Sequence, residues 1–461
     1  MVKKSMLWDI LLILISVIVI LYKFNSIPAD LVYDEVDFTR AALSLDRAAL
    51  TPYTPLATGH STPYFYIILA SFKLFGVTPF ALRLPAAMFG ILSILVFSLI
   101  LKQIFPEKKY SISFYNLKIP LYFLASLLLV SMRWYFHFAR FSFEAAFLIF
   151  LELVSVYMLM RIFQKAHLVG DLRGRDPDSA QFSTSTIGKE RKAGLHDTID
   201  LKYTVLCGIF AGLAYNSYLP GRIFFLLPIT MIIYLIYKKK LHWKGMILFL
   251  IPFVLSILPL NLYLAQHPDI RIGQLSYMQN TELTLQTKAQ FFLNNTLKLP
   301  LMIFMPGKGD IWGVHNYPLK PALNPIMNLL FFGGMLYGLF KKRTLIMGLF
   351  FIWIFLASLP TLFTYPWENP NMLRTITLLL SIGYFSALGM LAVQEMFKKK
   401  SLQIFISGAI ITIVIISVGY EIRTYYRYQA SVIEDAFNLR QDVYGIKDRE
   451  FQKLYFKLME K

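Results

Sequence analysis

Residues 6–24 read MLWDILLILISVIVILYKF, and shortly after them the chain reads Tyr33-Asp34-Glu35-Val36-Asp37. The first stretch has the length of a bilayer core. The second places carboxylates at 34, 35 and 37 close to where that stretch would leave the membrane. How the chain folds depends on whether the first pattern recurs. What it does depends on the second.

The pattern does recur. Apolar runs of similar length appear along all 461 residues, with 56% hydrophobic and 16% charged residues. Mean hydropathy is +0.55, and a soluble domain would carry about 25% charged residues. The fold class is therefore an all-α polytopic membrane protein.

A formal net charge of +19 suggests nucleic acid at first sight. The basic residues instead fall in short bursts between apolar runs: Lys3-Lys4, Lys108-Lys109, Lys238-Lys239-Lys240, Lys341-Lys342-Arg343 and Lys398-Lys399-Lys400. Such bursts mark cytoplasmic loops and not a nucleic-acid stripe. The single cysteine, Cys207, excludes a disulfide framework and a thiolate metal site. Residues 6–24 are too long for a signal h-region and lack a small-x-small cleavage site, so they read as a retained signal anchor.

Placing every burst inside gives one assignment. Eleven spans are expected at 6–24, 84–105, 119–134, 141–163, 203–218, 223–237, 243–264, 322–340, 344–363, 375–397 and 402–420. They form one transmembrane domain, 1–420, with a cytoplasmic N-terminus. The loops are a first external loop at 25–83, a cytoplasmic loop at 164–202 and a long external loop at 265–321. The last carries an amphipathic stretch near 289–304. A polar tail, 421–461, lies outside. In the first external loop Phe38, Ala41, Ala42, Leu45 and Ala49 recur at helical spacing. They predict a helix lying flat on the membrane with Phe38 and Leu45 facing lipid. The short apolar run 62–76 reads as a second interfacial or re-entrant helix. No period of 20–50 residues repeats, and no matched pair of Gly/Pro-broken helices marks a transporter core.

With this topology, ionisable residues converge on the outer leaflet: Asp34, Glu35, Asp37, His60, Arg133, His137, Arg140, Glu144, Arg222, Glu368 and Arg374. Charge at that depth is costly unless paired or functional. Arginine offers a rigid fork for phosphate oxygens, and a carboxylate accepts a proton from a hydroxyl. A lipid carrying a phosphate suits such a site.

Each residue also has a structural reading. Asp34 is a preferred helix N-cap, Glu35 a solvated charge, and Asp37 with Arg40 an i,i+3 helix pair. Arg83, Arg133 and Arg222 can snorkel as interfacial anchors, the reading preferred for the first two. Arg140 with Glu144 can be an i,i+4 pair. His60 can be an orienting partner, and His315 an ordinary loop histidine. The spacing of His60, His137 and His315 with Asp34 matches no local metal motif, so neither a metal nor another cofactor is expected.

The order of several segments resembles a known superfamily. Tyr33-Asp34-Glu35 after the first span looks like the Asp-Glu motif of the dolichyl-phosphate-mannose protein mannosyltransferase and aminoarabinose transferase-like superfamily. The stretches His60-Ser61-Thr62-Pro63-Tyr64-Phe65-Tyr66, Phe72-Lys73-Leu74-Phe75-Gly76 and Ala81-Leu82-Arg83-Leu84-Pro85-Ala86 are similar to its His-Pro-Pro segment and the region C-terminal to that segment. Trp134-Tyr135-Phe136-His137-Phe138-Ala139-Arg140, Tyr218-Leu219-Pro220-Gly221-Arg222 and Asn371-Met372-Leu373-Arg374 extend the resemblance. Here Ser-Thr-Pro comes after His60 where the family has Pro-Pro.

The resemblance implies a C-type membrane glycosyltransferase fold and an inverting transfer. A sugar would move from a polyprenyl-phosphate carrier to a hydroxyl of a protein, lipid or glycan at the outer face. It further implies Asp34 as general base with Glu35 in support, and His60, Arg140, Glu144, Arg222 and Arg374 as substrate-binding residues. The rival readings are a transporter or flippase of lipid-linked glycans, in which Glu152 would be the one deep ionisable residue, and a silent scaffold of an envelope complex.

Overall fold

The computed structural model describes residues 4–28, 31, 33–165, 201–341, 344–397 and 399–430. Most of the expected cytoplasmic loop 164–202, and the tail from 431 onward, lie outside the described residues.

Helices occupy every position expected to span. In chain order they are α1 (Lys4–Leu21), α2 (Tyr33–Ser44), α3 (Pro63–Phe75), α4 (Pro79–Ile104), α5 (Leu121–Ser131) and a single turn α6 (Arg133–Phe136). They continue as α7 (Glu144–Lys165), α8 (Leu201–Tyr215), α9 (Leu226–Tyr237), α10 (Lys244–Gln266), α11 (Ile270–Leu275) and α12 (Leu285–Phe304). The last four are α13 (Pro325–Lys341), α14 (Leu345–Leu362), α15 (Leu378–Glu395) and α16 (Lys400–Thr424). Among the described residues, seven helical stretches are long and apolar enough to cross a membrane by length and composition. Shorter apolar helices fill the remaining expected spans at α1, α5, α8 and α13, and α3 is a further short one.

The all-α reading needs one amendment. Two short antiparallel hairpins are present, β1 (Tyr53–Thr54) with β2 (His60–Ser61) and β3 (Ser111–Phe114) with β4 (Leu117–Pro120). In the second, Ser111 pairs with Pro120 and Phe114 with Leu117, closing the basic loop between α4 and α5.

Small residues let the helices close on one another. A Cβ added to Gly334 of α13 would lie 1.7 Å from the Phe385 carbonyl oxygen of α15, and one added to Gly389 would lie 2.1 Å from the Leu330 oxygen. These two glycines face each other's helix backbone, so any larger residue would push α13 and α15 apart.

The helix ends sort onto two faces. On one, Lys102 near the end of α4 pairs with Asp9 near the start of α1, and Gln394 near the end of α15 donates to the Ser111 carbonyl. On the other, the Trp134 indole N–H donates to the Met372 carbonyl (2.7 Å) and the Tyr277 hydroxyl to the Leu362 carbonyl (2.8 Å). The second face carries the carboxylate motif.

Two expectations change here. The apolar side of α2 does not face lipid: Phe38, Ala41, Ala42 and Leu45 are buried in the protein core. Phe38 sits edge-on to Phe65 (4.9 Å) and His60 (5.2 Å), so the amphipathic pattern marks packing against α3 and β2. The last helix does not stop at 420 either. It runs to Thr424 and continues as a π-turn through Gln429, with Glu421, Tyr425 and Gln429 buried.

Candidate functional site

Asp34 and Glu35 occupy the first turn of α2, where the helix dipole favours negative charge. They point into different surroundings. Glu35 is fully buried and takes two parallel bonds from Arg83, Nε to Oε1 and Nη2 to Oε2, each 2.8 Å. The Ser142 backbone N–H also donates to Oε1 (2.8 Å), and Arg83 Nη1 donates to the Pro28 carbonyl (2.8 Å). Glu35 therefore fixes α2 to α4 and to the turn before α7. This removes the solvated reading of Glu35 and the snorkelling reading of Arg83.

Asp34 is exposed. Desolvation nevertheless dominates its proton affinity and raises it above the ordinary carboxylate value, against the pull of Arg271, His315 and His60. Its carboxylate is open to solvent and lies within electrostatic reach of Arg271, His315, His60 and Glu144. Asp37 is half-buried, and its carboxyl is also raised, by desolvation and then by Asp34, while Arg40 draws it down.

Near Asp34 a polar cluster joins three loops. His60 on β2 donates from Nδ1 to Glu144 Oε1 (2.7 Å), and both side chains are nearly sealed from solvent. Arg271 Nη1 lies 2.8 Å from both His60 Nδ1 and Nε2. Arg222 pairs with Asp269 (2.8 Å), which accepts from the Tyr53 hydroxyl (3.2 Å) and caps α11 through the Arg271 N–H (3.0 Å). The Arg271 guanidinium stacks over Tyr218 at 5.7 Å.

Next to the cluster lies a cavity of about 260 Å³ with apolar walls formed by Leu219, Ile223, Ile272, Leu275, Leu359 and Phe363. Arg222, Arg271 and Arg374 also line it. Arg374 is held by Glu368 (Nη2 to Oε2, 2.7 Å), a pair in the turn before α15. Tyr218 connects the two regions: it lines the cavity, and its buried hydroxyl feels the charges of Arg271, Arg374, Glu144 and Asp34.

Arg140 lies elsewhere. It is fully buried, and its Nη atoms donate to the carbonyls of Val19, Ile20, Lys23 (3.2 Å) and Ile27 (2.9 Å), while its plane faces Tyr425 and Tyr426. It thus satisfies the carbonyls at the end of α1 and of the turn after it. Those Nη donors are committed to backbone carbonyls, while the buried Nε has no hydrogen-bond partner, and Arg140 does not line the cavity formed by Arg222, Arg271 and Arg374. The expected Arg140–Glu144 pair is not formed, because α7 begins at Glu144 and Arg140 precedes it in a turn. Arg133 is not an anchor: its Nε donates to Glu421 Oε2 (2.8 Å) and its Nη1 to Asn316 (2.9 Å), deep inside the protein. His315 donates to Asp310 (3.1 Å), which also accepts the Met372 N–H (2.7 Å) and so ties the loop between α12 and α13 to the turn before α15. Glu152, buried in α7, accepts from the Trp353 indole (3.0 Å).

Of the site residues expected from sequence, His60, Glu144, Arg222 and Arg374 gather around the cluster and cavity, with Asp34 in electrostatic reach of them. Arg271, Asp269 and Tyr53 were missed. Arg271 is 211 positions from His60, in a loop without a motif, and nothing local in the sequence signals that contact. Among the described residues, no group of three or more His, Cys, Asp or Glu side chains is gathered as a metal would require.

The fold is that of C-type membrane glycosyltransferases. The oligosaccharyltransferase of Archaeoglobus fulgidus in its apo form matches over 99% of this chain and 60% of its own, with TM-score 0.59 and 12% identity. ArnT from Cupriavidus metallidurans bound to undecaprenyl phosphate matches over 98% of this chain and 85% of its own, with TM-score 0.53 and 9% identity. The archaeal oligosaccharyltransferase AglB from A. fulgidus, in complex with an inhibitory peptide and a dolichol-phosphate, gives TM-score 0.53 at 12% identity. It covers 98% of this chain, which spans 60% of the length of that protein. No protein-family model matches the sequence, and no curated protein does. At these identities the likeness is one of fold.

Proposed function

We propose that the chain is an integral-membrane glycosyltransferase that moves a sugar from a polyprenyl-phosphate carrier to an acceptor hydroxyl at the external membrane face. One arrangement carries the reading: an exposed carboxylate, Asp34, within electrostatic reach of Arg271, which with Arg222 and Arg374 lines an apolar cavity. Apolar walls suit an isoprenoid chain, and arginines suit its phosphate. ArnT in complex with undecaprenyl phosphate and AglB in complex with a dolichol-phosphate support the choice of carrier class.

In this reading the acceptor O–H gives its proton to Asp34 while the oxygen attacks the anomeric carbon. The bond from that carbon to the phosphate oxygen breaks, with inversion, and the electron pair leaves on the phosphate. Arg271 and Arg374 stabilise the charge growing there. A carboxyl with raised proton affinity is a better base than an ordinary one, provided the medium keeps it ionised. Arg222 holds Asp269 and shapes the wall, Glu35 holds α2, and His60 with Glu144 borders the sugar. The basic bursts support a cytoplasmic N-terminus and a site on the opposite side.

Mass spectrometry of envelope lipids and glycoproteins tests the proposal. A deletion strain carrying the intact chain should regain a glycoform that the same strain carrying Asp34→Asn lacks. Equal restoration by both overturns Asp34 as the base.

A further inference from the structure

Glu144 is sealed from solvent, yet only one of its oxygens is used. Oε1 accepts from His60 Nδ1 at 2.7 Å, while Oε2 is buried and has no hydrogen-bond partner. A buried carboxylate oxygen without a donor is costly. Glu144 lines a chamber of about 10 Å³, bounded also by His60, Ser61, Ser217, Arg222 and Arg271. That volume holds one water-sized group.

The other polar side chains of the wall have partners: Arg222 pairs with Asp269, Asp269 accepts from Tyr53, and Arg271 lies against His60. Ser217 spends its proton on the Ala214 carbonyl (2.8 Å). What the chamber lacks is a small donor. An anionic oxygen repels phosphate and takes a hydroxyl or an amine. Arg222, Leu219 and Arg271 line both this chamber and the larger cavity, so a ligand headed by a phosphate in the cavity extends its next group toward Glu144.

We infer that Glu144 Oε2 receives one hydroxyl of the carrier-linked sugar, and that the chamber selects the donor by admitting a single small hydrogen-bonding substituent there. This rests on the glycosyltransferase reading above. The chamber rejects an acetamido group at that position, because the substituent exceeds the space.

Binding to the full chain in detergent tests this with three probes: undecaprenyl phosphate, undecaprenyl-phosphate mannose, and a set of monodeoxy forms of that mannose. Glu144→Gln should bind undecaprenyl phosphate as the unaltered chain does, and bind the mannosyl donor roughly ten- to a hundredfold more weakly. One monodeoxy donor should show the same loss on the unaltered chain and no further loss on Glu144→Gln, as coupled partners do. Ser217→Thr keeps the bond to Ala214 and adds one methyl, so it provides a second variant, with the same selective loss expected. Equal weakening of all three probes makes Glu144 merely structural and overturns the inference. So does a loss on Glu144→Gln that no single deoxy position reproduces, which leaves only water in the chamber. Failure of every probe, including undecaprenyl phosphate, to bind the unaltered chain overturns the carrier reading itself and this inference with it.

Discussion

Arg83 and Glu35 meet in two parallel bonds of 2.8 Å, with side chains 1% and 0% exposed. The residue before Glu35 is the proposed base, so this pair determines where Asp34 points. Breaking a buried pair by removing one partner strands the other charge, at a cost of about 3–5 kcal/mol. Glu35→Gln and Arg83→Met should each lower the thermal midpoint steeply and lose transfer. The double variant should lose much less stability than the sum of the two. Additive losses in that cycle would mean that the pair is not coupled as its geometry requires.

Asp34 should behave in the opposite sense. Its folded proton affinity is raised. The ionised form is therefore disfavoured by folding, and any stabilising share is lost as pH rises through the folded value. Asp34→Asn removes the charge and should leave the thermal midpoint unchanged or higher at neutral pH. Transfer should fall roughly 10²- to 10⁴-fold. In the unaltered chain, transfer should decline on acidification at a pH above that of an ordinary carboxylate. A midpoint lowered by Asp34→Asn would make Asp34 a helix cap first and a base second.

Most of the fold was legible because span length is a one-dimensional signal, and each expected span contains a helix. The contacts that place the site were not legible. Arg140 reads as a substrate-binding residue through the resemblance, but the sequence does not say that α1 ends beside it with open carbonyls. Phe38 and Leu45 show helical spacing, but periodicity alone does not distinguish a lipid face from a protein face. Arg271 comes to His60 from a loop 211 positions away, a distance no local pattern bridges.

The three arginines of the cavity should separate by role. Arg271 and Arg374 are assigned to phosphate, and Arg222 to holding Asp269. Arg271→Ala and Arg374→Ala should each weaken undecaprenyl phosphate binding by roughly ten- to a hundredfold, the scale of a lost charged hydrogen bond. Arg222→Ala should mainly lower the thermal midpoint, and a partner change at Asp269→Asn should recover part of it. Isothermal titration and a melting curve on each variant tell these apart. An Arg222→Ala chain that keeps its midpoint but loses the lipid would exchange the roles.

His137 offers a test that does not depend on catalysis. It is fully buried in the turn before α7, donates from Nε2 to the Val314 carbonyl (2.7 Å) and accepts from the Tyr425 hydroxyl at Nδ1 (3.3 Å). Burial pushes its pKa down to about 3, helped by His315, Arg140 and Arg133 and opposed by the bond to Val314. An unfolded histidine titrates near 6.5, so between that value and the folded one the unfolded chain binds the extra proton. The stabilising contribution of neutral His137 is therefore complete above about pH 6.5 and shrinks by about 1.4 kcal/mol per pH unit below it. His137→Gln can keep one donor and one acceptor and cannot charge. Its thermal midpoint should fall less than that of the unaltered chain as pH drops from about 7 to about 5, even if it starts lower. Parallel curves across that range would show that His137 titrates alike in folded and unfolded chains. The histidine would then not be the sealed, neutral link between the external loop and the last helix that its two hydrogen bonds describe.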